Sequence, residues 1–194
     1  TGPLSFPLDQ VIVLFDNPAL DTERIRYRST REGVREACMN LSRRVKQADT
    51  VFVFIEGHGS YDGKTYKLNL VGPDTTAGEL ADILYSIPAG RFIVVNATNS
   101  SGGGLPALAG EGKIVVTATK SGMEGNQTHM GGFFVESLES NAADANKDDR
   151  VSVLEAFYYA TRKVEEYYRD KQNLQTEHAV LEDSGWHLQV VQQF

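Results

Sequence analysis

The sequence predicts an α/β protein, a three-layer α/β/α sandwich built on a mainly parallel sheet. Three observations lead there. Four short apolar runs of strand type recur along the 194 residues, at 11–15 (VIVLF), 51–56 (VFVFIE), 91–96 (RFIVVN) and 113–119 (KIVVTAT). The runs are continuous rather than alternating, as expected when helices cover both faces of a sheet. Segments with helical spacing and helix-start signals fall between and after them, which is the β-α-β-α order of parallel crossover units.

After the first run, a helix is expected over 32–47 with Thr30 as its cap. Val34, Cys38, Leu41 and Val45 fall at i, i+4, i+7 and i+11, one face of that helix. Cys38 is the one cysteine of the chain, so no internal disulfide and no cysteine-based metal site can form. Its place on the apolar face marks it as a packing residue rather than a reactive thiol. Between the second and third runs, Thr76-Ala-Gly-Glu79 has the spacing of a capping box and opens a helix reaching about residue 87. After the fourth run come a helix near 132–138 and a long one from 153 to about 172. In the long helix Tyr158, Tyr159, Val164, Tyr167 and Tyr168 read as packing positions. With no repeat, low-complexity tract or linker, the chain reads as a single domain over 1–194.

Composition excludes several classes of function. A hydrophobic fraction of 41% and a charged fraction of 23% are those of a folded domain, not a disordered chain. No apolar run approaches the roughly 18–20 residues of a membrane helix. The net charge of -7, without a basic stripe, speaks against nucleic acid or an anionic membrane as partner. His129, His178 and His187 lack zinc-ligand spacing, and nothing suggests an organic cofactor. Thr1 could serve as an N-terminal nucleophile only from a mature, buried terminus, and its Gly-Pro continuation reads instead as a trimmed tail. No signal peptide is visible.

Function in such sheets gathers where loops leave the carboxyl ends of the strands. Three of these ends are rich in polar and small residues: Glu56-Gly-His58-Gly59-Ser60, Asn96-Ala-Thr98-Asn-Ser-Ser-Gly-Gly-Gly104 and Thr119-Lys-Ser-Gly-Met-Glu124. His58, between two glycines, is either presented to a crevice or bonded to its own loop. Gly59 lets a ligand approach the backbone and offers it an amide. The second strand end places a side chain beside His58 if the two strands are neighbours.

These two motifs, GHGSYDG and NATNSSGGG, resemble those of the peptidase clan containing caspases, legumain and bacterial caspase-like domains. In that clan one apolar strand ends in His-Gly-Ser and a second in Asp-Ala-Cys-x-Ser-Gly. The resemblance covers about residues 11–182, and GPDTTAGEL and TATKSG also look like segments of its bacterial members. It implies a caspase-like fold and a cysteine–histidine dyad, with His58 as the dyad histidine and Gly59 as a donor to the oxyanion. Thr98 then occupies the nucleophile position, and Asn96 stands where aspartate is common. A thiol is partly ionised near neutrality, whereas a threonine hydroxyl is not and needs a positioned general base. Three readings therefore stand: a non-catalytic pseudo-peptidase that binds peptide or protein in the His58 crevice; a hydrolase using Thr98, Ser100 or Ser101 activated by His58; or a structural module of a larger assembly. The serines enter because the Asn-Ser-Ser stretch shifts the match by a residue. The resemblance also implies a specificity pocket at the third strand end, with Lys120 and Glu124 as its charged candidates; Asn96, at the second strand end, is a further ligand-binding candidate. Lys120 would favour an acidic ligand and Glu124 a basic one, unless both are solvated loop charges. Family members have a strand and helix before the equivalent of VIVLF; without them one sheet edge is open to pairing, including in a homodimer.

A calcium loop is the most specific metal signal. Asp144, Asn146 and Asp148 fall at positions 1, 3 and 5 of an EF-hand pattern, with the Arg150 carbonyl at 7, Ser152 at 9 and Glu155 at 12. Asp149 replaces the glycine of position 6 and must turn left-handed. The competing reading is a plain capping box, Ser152-Val-Leu-Glu155, at the start of the long helix. Calcium here would be structural. Together with the resemblance, it suggests a bacterial protein of the periplasm or exterior.

Overall fold

The structure is a computed structural model that describes residues 7–184. It is α/β. In chain order the elements are β1 (Val13–Phe15), β2 (Ile25–Arg28), α1 (Arg31–Ser42), β3 (Thr50–Ile55), β4 (Gly59–Tyr61), β5 (Tyr66–Leu68), β6 (Thr75–Thr76), α2 (Ala77–Leu84), β7 (Arg91–Asn96), α3 (Leu105–Leu108), β8 (Lys113–Thr117), α4 (Met130–Glu139), α5 (Val153–Asp170) and β9 (Val180–Asp183). Thr1 and His187 lie outside the described residues.

The strands form three sheets rather than one. The largest has the order β3-β7-β8-β9; its first three strands are parallel, and β9 runs antiparallel to β8. The sheet is therefore mixed. The apolar run at 11–15 does not join it: β1 pairs in parallel with β2, and the two make a small sheet of their own. The third sheet, β4-β5-β6, is antiparallel and lies just after the first strand end. Its strands are two or three residues long, too short to show a period in sequence.

The starts of α1, α2 and α5 follow local signals. Thr30 caps α1 by accepting the Gly33 N–H at 3.0 Å. Thr76 and Glu79 close a reciprocal capping box on α2, and Ser152 and Glu155 do the same on α5. The ends of α1 and α2 fall short of expectation. α1 stops at Ser42, whose hydroxyl donates to the Met39 carbonyl (2.9 Å) and competes with the helical ladder. α2 stops at Leu84, before Ile87, which Pro88 biases away from helix.

β7 shows how both faces of the main sheet are used. Phe92 and Val94 join a cluster with Cys38, Leu80, Leu84 and Leu108, whereas Ile93 and Val95 join another with Met130, Phe134, Val153 and Ala160. Side-chain alternation along one strand thus feeds two cores. Cys38 is buried in the first, and burial pushes its thiol up to about 11. On α5, Tyr159, Val164 and Tyr168 are buried, but Tyr158 is 62% exposed and does not pack as expected. No helix among the described residues is long and apolar enough to cross a membrane.

Candidate functional site

Parallel pairing puts the carboxyl ends of β3, β7 and β8 on the same side of the sheet, so the three polar segments meet. Asn99 ties them together. Its side-chain nitrogen donates to the carbonyls of Gly59 (2.7 Å) and Gly125 (3.1 Å), and its side-chain oxygen accepts the Gly59 N–H at 3.1 Å. The amide that the resemblance assigns to an oxyanion is thus already bonded within the chain. Gly59 must be glycine for steric reasons as well. A Cβ there would lie 2.5 Å from the Asn99 carbonyl oxygen, 2.6 Å from the Tyr66 ring and 2.9 Å from Thr98 Oγ1.

Thr98 lies beneath that glycine and has no exposed surface. Its hydroxyl donates to Asn96 Oδ1 at 2.8 Å and meets the Tyr66 hydroxyl at 2.7 Å. The Asn96 amide donates to the Tyr66 oxygen at 3.1 Å, closing a buried triangle. Burial raises the pKa of the Tyr66 phenol despite these bonds, so it stays a neutral partner. Asn96 is fully buried too, with its side chain bonded to Tyr66 and Thr98. His58, in contrast, is exposed, and among the described residues no hydrogen bond reaches its ring. None joins it to Thr98, Ser100 or Ser101.

The two serines differ. Ser101 is fully buried; its oxygen accepts the Thr119 N–H at 3.2 Å, locking the end of β7 to the end of β8. Ser100 is nearly buried, holds φ 59° and ψ 8°, and donates its backbone N–H to the Glu124 carbonyl at 2.8 Å.

At the third strand end Lys120 remains largely exposed, while Glu124 does not. The Glu124 carboxylate accepts the Lys120 N–H at 2.9 Å and the His178 Nδ1 and backbone N–H at 2.6 and 3.2 Å. Burial pushes its carboxyl up, but these donors outweigh it and hold the pKa below its usual value. Glu124 therefore fastens this loop to the segment before β9. Lys120, Ser121 and Gly122 also line a groove of about 600 Å³, whose opposite walls come from the β4–β5 turn and the first turn of α2.

A second carboxylate anchors the neighbouring helix. Glu177 is 1% exposed and accepts the N–H groups of His129 and Met130 at the start of α4. Glu56 lies close by: a Cβ on Gly131, in the first turn of α4, would run into its carboxylate. Burial first, and the neighbouring Glu177 second, raise the pKa of Glu56; burial also raises that of Glu177.

In the 144–155 loop, Asp144 accepts the N–H groups of Lys147, Asp148 and Asp149 at 2.7, 3.2 and 2.9 Å. Asn146 bonds Asp148 at 3.2 Å, and Glu155 accepts from Ala145 and Asn146 at 3.0 and 3.2 Å. Asp149 has φ 63°, the left-handed geometry that position 6 requires. Arg150 donates its N–H to Asp148 at 3.1 Å, and Ser152 is held by Glu155. Among the described residues no group of three or more His, Cys, Asp or Glu side chains is gathered as a metal would need. Asn99, Tyr66, Glu177 and His178 are the residues that sequence reasoning missed. Each acts across 26 or more positions, and only Asn99 fell inside a motif. No family model matches the chain, and no curated protein is similar to it.

Proposed function

We propose that this chain is a caspase/legumain-like, three-layer α/β/α domain that has lost peptidase chemistry and binds a peptide or protein in the crevice beside His58. The state of Thr98 carries the reading. A nucleophile must reach a substrate carbonyl and pass its proton to a base. The Thr98 hydroxyl is fully buried, donates to Asn96 and is paired with Tyr66, while His58 stands in solvent without a bond to it. The Asn99 side chain fills the role of the anion at the Gly59 amide. Support for three layers comes from β3, β7 and β8 running parallel between two apolar clusters.

One observation favours the second reading, hydrolysis through Ser100. A serine with φ 59° stores backbone strain of about 1 kcal/mol, and such strain clusters at functional turns. Turnover of a mixed peptide library, with and without calcium, separates the two. The native chain and His58→Ala are both expected to give none. Activity that disappears in His58→Ala and in Ser100→Ala would replace the binding reading with hydrolysis.

A structural calcium ion in the 144–155 loop is proposed as well. Asp144, Asn146, Asp148 and Glu155 would supply side-chain oxygens and Arg150 its carbonyl. The left-handed Asp149 supports it.

A further inference from the structure

The outer edge of β4 meets a side chain rather than a strand. Among the described residues β4 pairs only with β5, in the register Gly59 to Leu68, Ser60 to Lys67 and Tyr61 to Tyr66. At the two ends of this ladder the His58 carbonyl accepts the Asn69 N–H at 3.0 Å, and the Asp62 N–H donates to the Thr65 carbonyl at 3.4 Å. Antiparallel pairs alternate between bonded and non-bonded. Ser60 therefore turns its backbone groups to β5, whereas Gly59 and Tyr61 turn theirs outward. At Gly59 the outward groups meet Asn99, whose side-chain oxygen accepts the N–H at 3.1 Å and whose nitrogen donates to the carbonyl at 2.7 Å. At Tyr61 no other segment among the described residues takes them.

The exchange at Gly59 is the one that a residue of an extended strand makes with the residue opposite it. A carboxamide carries an acceptor and a donor side by side, so the Asn99 side chain stands in for a peptide unit. Its position suits a removable stand-in. Gly59 is buried, while Asn99 is only half-buried. The inner face of Gly59 is packed against Tyr66 and Thr98 too closely for a Cβ, which fixes the edge from behind. The Asn99 nitrogen also donates to the Gly125 carbonyl at 3.1 Å, in an exposed position, so release from Gly59 need not strip the amide of its partner. A strand edge with outward N–H and C=O groups is a template for another extended chain.

We propose that an extended peptide segment adds to the outer edge of β4, pairing its main chain with Tyr61 and, once the Asn99 side chain is displaced, with Gly59. The proposal rests on the peptide-binding reading of the crevice and names how the peptide is held, by its backbone. Two fluorescein-labelled decapeptide pools of mixed sequence test it, one plain and one N-methylated at its four central amides, which removes the donors that pairing needs. In fluorescence polarisation the native chain should prefer the plain pool. Asn99→Ala should bind that pool about tenfold tighter, as when an edge open about one-tenth of the time becomes always open. The methylated pool should gain nothing from the substitution. Thermal melts check that Asn99→Ala is folded; if it is not, the comparison of the two pools on the native chain decides alone. Equal binding of the two pools, or a folded Asn99→Ala that binds no tighter, overturns pairing at this edge and leaves the peptide-binding reading standing. Self-association of Asn99→Ala without peptide, seen in sedimentation, overturns the peptide as occupant and assigns the edge to a second copy. Binding of neither pool by either protein overturns both readings.

Discussion

At the position where the resemblance places a nucleophile, Thr98 behaves as an interior hydrogen-bonding group, satisfied by Asn96 and Tyr66. Buried polar groups cost most when a partner is removed, because the one left behind loses water and gains nothing. Restoring a thiol should therefore not restore a peptidase. In Thr98→Cys a weak donor replaces a good one beside Asn96, and a stability loss of about 1–2 kcal/mol is expected. Native thiol titration should find neither Cys38 nor the new cysteine reactive, and denaturation should release two thiols per chain. A single fast-reacting thiol in the folded protein, with turnover, would show that the position opens to the crevice. The threonine itself could be read in the sequence. What it bonds to could not, because Tyr66 arrives through the register of a three-residue strand, Tyr61 opposite Tyr66.

Elements were legible where their signals are local. The caps of α1, α2 and α5 lie within four residues of what they cap, and all three form. The runs that became β3, β7 and β8 are continuous apolar stretches, and alternate residues of β7 enter two separate apolar clusters. The start of α4 was not legible, because its first N–H groups are satisfied by Glu177, 47 and 48 positions away. β9 and the short strands likewise depend on pairing rather than pattern. The loop between α4 and α5 was legible as spacing, and its chemistry is a matter for measurement. If it holds calcium, binding to the folded state alone stabilises by RT ln(1 + [L]/Kd), about 2.7 kcal/mol at a hundredfold excess over Kd. The melting temperature should then be a few degrees higher in calcium than in chelator. Asp149→Gly should add stability in both conditions, since glycine relieves φ 63°. Identical melts in calcium and chelator would leave only the capping box of Ser152 and Glu155.

For the whole molecule the carboxylates divide into two groups with opposite pH dependence. Glu56 and Glu177 have pKa values raised above the usual 4.5, by burial foremost. A raised group contributes most below its unfolded pKa, and that contribution is lost as pH rises through its folded pKa. Glu79, Glu124 and Glu155 are lowered, as is Asp62, so their contributions are present at neutral pH and lost as pH falls below about 4.5. Stability should therefore rise as pH falls from 7 towards about 5, then decline in stronger acid. Glu56→Gln isolates the first limb. It removes a charge beside Glu177 while keeping the side chain's size against Gly131. At pH 7 the variant should be more stable than the native chain, by roughly 0.5 kcal/mol because solvent screens the half-open Glu56. The gain should shrink as pH falls and the native carboxyl, its pKa raised by burial and by Glu177, takes up its proton. Chemical denaturation at pH 5, 6 and 7 measures it directly. A gain that is flat across that range, or a loss at pH 7, would mean that the two carboxylates do not repel each other in the folded protein, and that Glu56 instead serves α4 as an acceptor at its first turn.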